Sequence, residues 1–223
     1  MERDLQELAP GNAGGAREEE RIAIAINADS IATWALPALD ALARQGLPME
    51  IITDDQDFTQ EWLREGKVLG CVTTLDSALR GCRLVPLGAM RYVAVAQAAY
   101  AAAQAPQGLG PHNFGNLGFV AFNRKDDMQS EFVAKALGLK HVTLKQLFVP
   151  SSEGQVRAVR AGWGVSVLPE LLVQDLMAQG ELVNMAPGHA LPIQLYWHCW
   201  NLESQVLDAL TSALTAAAAA TLA

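Results

Sequence analysis

The chain has 223 residues, with 24 acidic against 16 basic side chains and a formal net charge of −8. Apolar residues make up 51% and charged residues 18%, which supplies a packed core and excludes a disordered or fibrous chain. The acidic balance argues against this chain itself gripping a polyphosphate backbone, which needs a basic surface. The three cysteines, Cys71, Cys82 and Cys199, fit neither a disulfide framework nor a zinc cluster and read as reduced thiols of a cytoplasmic protein. No apolar run approaches the roughly 20 residues of a bilayer span. The polar, acidic first 20 residues do not read as a secretory signal.

Residues 1–20 read as a helix stub followed by a Pro/Gly linker. From Arg21 a β-α-β-α-β series begins. Ile22 to Ile26 is an apolar, β-branched strand. Asp29-Ser30 caps a helix from Ile31 to about Arg44, with a kink or restart expected at Pro37. Pro48 to Thr53 is a strand, Phe58 to Arg64 a helix, and Val68 to Thr74 a buried strand. Short connections in such a series mean a parallel sheet with right-handed crossovers. Cys82 to Ala96 then forms one long extended stretch, followed by a Gly/Pro/Gln-rich patch over 105–115. The α/β rhythm restarts with a strand at 118–122, a helix at 127–137, a strand at 144–149 and a helix from the Ser151-Ser152-Glu153 cap to Ala161. A strand at 164–168, a helix opened by Pro169, strands at 182–185 and 192–200, and a helix from Glu203 into an alanine-rich tail complete the chain. The reading is therefore α/β, with a second unit inserted within the first and two long crossover strands near 85–96 and 186–198. Residues 21–92 and 194–223 form lobe I, residues 93–193 form lobe II, and 1–20 stand apart.

In an open α/β sheet, ligands sit past the strand carboxyl ends, where helix N-termini offer unpaired N–H groups. The residues at those ends are Asn27, Asp29, Ser30 and Thr33 after the first strand, and Asp54, Asp55 and Asp57 after the second. Thr73 and Thr74 close the third. Asn123 to Asp126 and Pro150 to Glu153 end strands of the second unit. Hydroxyls at helix starts suit a carboxylate, and the acidic cluster suits a cation. Together they suit a small zwitterion with an extra positive group, such as a basic amino acid. Several of these residues also have an ordinary structural explanation. Ser30, Asp126 and Ser152 are good helix caps, worth about 1 kcal/mol each, and for Asp126 and Asp127 capping is the preferred reading. Three carboxylates in four residues at 54–57 exceed what a cap requires.

Other constellations are sparse. The histidines (112, 141, 189, 198) lack metal-ligand spacing, and neither a nucleophile elbow nor a phosphate loop occurs. Gly162-Trp163-Gly164 reads as a helix end turning into a strand. Cys71 and Cys199 read as inert core thiols. The tryptophans fall at core-type positions, with Trp34 also suited to wall the cleft.

The stretches RIAIAINADSIATWALPAL (21–39), DDQDFTQEWLREGKVLGCVT (54–73), GCRLVPLGAMRYVAVA (81–96), FNRKDDMQ (122–129) and PSSEGQVRAVRAGWGVSVLP (150–169) resemble the effector-binding domain of LysR-type transcriptional regulators. The resemblance runs from Arg21 to about Leu210 and is nearest to the lysine- and arginine-responsive (ArgP/LysG-like) branch. It implies two Rossmann-like lobes joined by two crossover strands, a type 2 periplasmic-binding-protein-like fold. It also implies L-lysine or L-arginine as effector, with no cofactor and no metal. By position it implies that Ser30, Thr33, Asp54, Asp55, Gln56 and Thr73 line lobe I, and that Asn123, Ser151, Ser152 and Glu153 line lobe II. Family members begin with a winged helix-turn-helix and a long linker helix. Neither occurs here, so DNA contact is expected only through a helix-turn-helix domain outside this sequence. A side-by-side homodimer is the expected assembly. The alternatives are a stand-alone amino-acid-binding protein of the same fold and, least supported by motifs, an enzyme on this scaffold.

Overall fold

The computed structural model describes residues 21–53 and 59–222. The expectations for 1–20, and the candidate residues Asp54, Asp55 and Gln56, lie outside that range.

Among the described residues the strands form one sheet of nine, in the order β2-β1-β3-β9-β4-β7-β5-β6, with β8 paired to β4. β1 (Ile22–Ala25), β2 (Met49–Ile52) and β3 (Gly70–Thr73) run parallel, as short βαβ connections require. β5 (Gly118–Ala121), β6 (Lys145–Phe148) and β7 (Val165–Pro169) form a second parallel set. Two long antiparallel strands join the sets: β4 (Cys82–Gln97) and β9 (Leu191–Trp200). Their register runs from Cys82 opposite Trp200 to Tyr92 opposite Leu191, with a shift between Pro86 and Gly88. Pro86 has no N–H to give to the ladder, so the irregularity falls where the sequence removes a donor. This is the expected pair of Rossmann-like lobes joined by two crossover strands, with β8 (Leu182–Asn184) on the β4 edge.

The first helical segment differs from expectation at its start, while its α-helical part restarts beside Pro37, one of the two outcomes expected there. It comprises α1 (Ala28–Ser30), a π-helical stretch (Ile31–Ala35) and α2 (Leu36–Arg44). Its N-cap is Asn27, so Asp29-Ser30 is not the cap, and Ser30 is already helical. The wide turn lies immediately before Pro37, whose ring would clash with the carbonyl of Thr33 in a regular helix. A π turn accommodates that clash without breaking the segment.

α3 (Thr59–Arg64), α5 (Met128–Leu137), α6 (Ser152–Arg160) and α7 (Glu170–Ala178) fall where the sequence placed helices. α4 (Ala98–Gln104) is an addition to the expected elements, although five alanines and a glutamine of its sequence AAYAAAQ favour a helix. α8 (Gln205–Thr221) starts at Ser204, whose hydroxyl accepts from the Leu207 N–H at 3.4 Å. It buries Leu207, Leu210, Leu214 and Ala218, a stripe at helical spacing, so the alanine-rich tail packs.

The largest core groups include Trp197, Tyr92, Phe119 and Phe132, all essentially inaccessible. Burying a side chain of Phe size contributes about 1.5–3 kcal/mol. Trp163 departs from its expected core position and is 55% exposed. It sits between Gly162 (φ 79°) and Gly164 (φ 153°), and this turn throws the indole outward. A Cβ on Gly164 would lie 2.2 Å from the Gly118 carbonyl oxygen, so β7 enters beside β5 with no room for a side chain there.

Candidate functional site

A cavity of about 450 Å³ opens between the lobes. Lobe I contributes Asn27, Ala28 and Asp29 from the first helix start, and Thr74 and Asp76 from the loop after β3. The crossover strands contribute Tyr92, Pro192, Ile193, Gln194 and Tyr196. Lobe II contributes Phe122, Lys125, Asp126, Asp127, Met128, Glu131, Gln155 and Val167. Among the described lining residues, five carboxylates (Asp29, Asp76, Asp126, Asp127, Glu131) face one ammonium, Lys125. Among the described residues no group of three His, Cys, Asp or Glu side chains has the geometry to hold a metal ion.

Asp29 is the centre of this arrangement. Its Oδ1 accepts from the Ser152 hydroxyl at 2.6 Å, and its Oδ2 accepts from the Tyr92 hydroxyl at 2.7 Å. One carboxylate thus ties the first helix of lobe I to the first residue of α6 in lobe II and to a crossover strand. Enclosure raises its pKa above the ordinary 3.8; the bonds from Ser152 and Tyr92 oppose the rise, and the charge of Asp126 adds to it. Burial and the neighbouring Asp29 charge push the Tyr92 phenol well above 10.0. Asp126 accepts from the Phe122 and Met128 N–H groups at 3.0 and 2.9 Å, which orders the turn before α5, but the N-cap itself is the next residue, so Asp126 is not the helix cap expected from sequence. It nevertheless lines the cavity, so its charge serves both loop and cleft. Asp127 occupies the N-cap position of α5 without a side-chain cap bond.

The residues nominated from sequence divide. Ser152 joins the central cluster through Asp29. Ser151 is the N-cap of α6, accepting from the Gly154 N–H at 3.1 Å, and Glu153 is exposed outside the cavity. Asn123 accepts from the Lys125 N–H at 2.7 Å within its turn. Thr73 is buried in β3, its hydroxyl accepting from the Leu75 N–H at 3.4 Å, while its neighbour Thr74 lines the cavity. Thr33 gives its hydroxyl to the Asp29 carbonyl at 2.6 Å. Ser30 is fully buried, and its Oγ has no partner among the described residues. Trp34 is in the core and does not line the cavity. The cause is helical phase: with the cap at Asn27, Asn27 to Asp29 face the cleft and Ser30 turns inward. Tyr92 and Gln155 were missed, although Tyr92 ends the LGAMRY stretch and Gln155 lies three residues after Ser152, on the same helical face.

The fold and cleft define a two-lobed α/β ligand-binding domain. The profile of the LysR substrate binding domain matches residues 15–221, and the chain belongs to that family. It is 39% identical over 184 residues to the HTH-type transcriptional regulator ArgP of Aeromonas salmonicida, covering 82% of this chain and 62% of that protein. The chain thus spans less than two thirds of that relative's length. The C-terminal domains of a LysR family protein from Agrobacterium tumefaciens superpose with a TM-score of 0.86 at 37% identity, covering 91% of this chain and 98% of that one. Full-length LysG from Corynebacterium glutamicum with bound effector Arg superposes with a TM-score of 0.81 at 32% identity, covering 91% and 69%.

Proposed function

We propose that this chain is the effector-sensing part of a cytoplasmic LysR-type transcriptional regulator and that its effector is a basic amino acid, L-arginine or L-lysine. The observation that carries this reading is the excess of carboxylates around the inter-lobe cavity. Such walls favour a cation and repel an acidic ligand. The bound Arg in the similar LysG supports the same class. Asp29, held in place by Ser152, is the central contact of this reading, with Asp126, Asp127 and Glu131 as the acidic wall of lobe II. Asp54, Asp55 and Gln56 remain assigned to the lobe I rim on sequence grounds. The lobes divide at 92/93 and 193/194, within the crossover strands. Effector binding shifts the balance between lobe arrangements, and DNA is reached through a separate helix-turn-helix domain.

The assembly is a homodimer, with the first helix and β2 of one copy against lobe II of the other. β2 and β6 are the two ends of the sheet, and Leu36 on α2 and Leu147 and Phe148 on β6 are exposed. Light scattering at high micromolar concentration tests this; a monomer would contradict it. For the effector, calorimetric titration with arginine, lysine, leucine and glutamate is the test. Heat is expected with a basic amino acid and none with glutamate. No heat with either basic amino acid would overturn the reading.

A further inference from the structure

Two buried side chains that line the cavity, one at the first helix start and one on α6, have polar atoms without partners among the described residues. Asn27 is 3% exposed and Gln155 is 4% exposed. Asn27 Oδ1 and Gln155 Nε2 make no hydrogen bond among the described residues, and both residues line the cavity. Asn27 stands at a helix N-cap, where an Asn side chain normally accepts from the first turn, yet it makes no such bond. Leaving a buried donor or acceptor unpaired is unfavourable, so such groups in native proteins are met by water or by a ligand.

We infer that Asn27 and Gln155 clamp the head of an α-amino acid, Asn27 Oδ1 accepting from the α-ammonium and Gln155 Nε2 donating to the α-carboxylate. One atom is an acceptor from lobe I and the other a donor from lobe II. A ligand group carrying an ammonium beside a carboxylate satisfies both at once and bridges the lobes. The acidic wall then reads the cationic side chain, while the clamp requires the amino-acid head. The inference rests on the proposal that the cleft takes a basic amino acid, and it adds which atoms recognise the part common to all amino acids.

The test compares L-arginine with agmatine, which keeps the guanidinium and lacks the carboxylate, by calorimetry on the intact chain. Arginine is expected to bind at least tenfold more tightly. In Gln155→Leu, arginine is expected to fall to near the agmatine affinity, with agmatine unchanged. In Asn27→Leu, both ligands are expected to weaken. Thermal melts of both variants establish that they fold, and the wild-type comparison needs no variant. Equal binding of arginine and agmatine by the wild type would overturn the clamp while leaving the cation reading intact. Unchanged arginine affinity in folded Gln155→Leu would mean that water alone meets the amide, and would overturn it too. If neither ligand binds, it is the effector reading that fails, and the clamp falls with it.

Discussion

Replacing Asp29 by Asn removes the negative charge at the junction of the lobes while keeping the shape of the side chain. The amide oxygen can still accept from Ser152, and the amide nitrogen can donate to the Tyr92 oxygen, so the inter-lobe tie has a neutral replacement. Asp29 carries a raised pKa because enclosure disfavours its charge. Removing that charge therefore does not weaken the fold. Binding of a cation responds differently. Deleting one member of a desolvated charge pair costs about 2–5 kcal/mol. The lower part of that range applies, because Asp126, Asp127 and Glu131 remain in the lining of the cavity. A loss of about 2–3 kcal/mol corresponds to a roughly 30- to 150-fold weaker Kd. Calorimetry with arginine on Asp29→Asn measures it, alongside a thermal melt. A Kd within threefold of wild type, in a variant that melts no lower than wild type, would refute the role given to Asp29.

The same carboxylate makes both stability and binding depend on pH. A folded-state pKa above 3.8 means the native state holds a proton that the unfolded chain has lost, so this contribution to stability falls as pH rises from 3.8 through the raised value. The melting advantage of Asp29→Asn over wild type should therefore grow with pH across that window. A cation bound beside Asp29 favours the ionised form, so binding in the same window should release a proton, seen as a buffer-dependent enthalpy that Asp29→Asn abolishes. His198 behaves oppositely. It is buried, its Nε2 donates to the Leu75 carbonyl at 2.8 Å, and desolvation lowers its pKa below 6.5 against the opposing effect of that bond. Its contribution is present above pH 6.5 and lost as pH falls toward its depressed value, so His198→Gln should flatten the acid limb of the stability curve. Burial pushes the Cys71 thiol up to about 12, so native protein should resist iodoacetamide at Cys71 at pH 8 and react there only on unfolding. Gly164→Ala places a methyl against the Gly118 carbonyl. It should cost at least about 2 kcal/mol, a fall of roughly 4–8 °C in Tm for a domain of this size, read by calorimetric scan.

Periodicity and punctuation carried most of the architecture. The β-branched run at 22–26, the apolar run at 118–122, the helix cap at Ser151 and the uninterrupted 82–96 stretch each have local causes that a sequence displays. What was not legible depends on phase and on tertiary approach. Asn27 and Ser30 are both plausible caps, and choosing the later one rotates the cleft-facing set from Asn27–Asp29 to Ser30–Thr33. Trp163 looks like a core residue until Gly118 and Gly164 are seen to approach so closely that the turn has no inward room. Gln155 sits in an ordinary amphipathic pattern, and what distinguishes it is a buried amide nitrogen with no partner among the described residues.

The most direct measurement is a crystal structure of this chain grown with L-arginine. The ligand is expected in the inter-lobe cavity, touching both lobes, with its guanidinium facing the acidic wall. Arginine held by a single lobe, or lodged in the separate hollow between Leu63, Leu79 and Trp200, would contradict it.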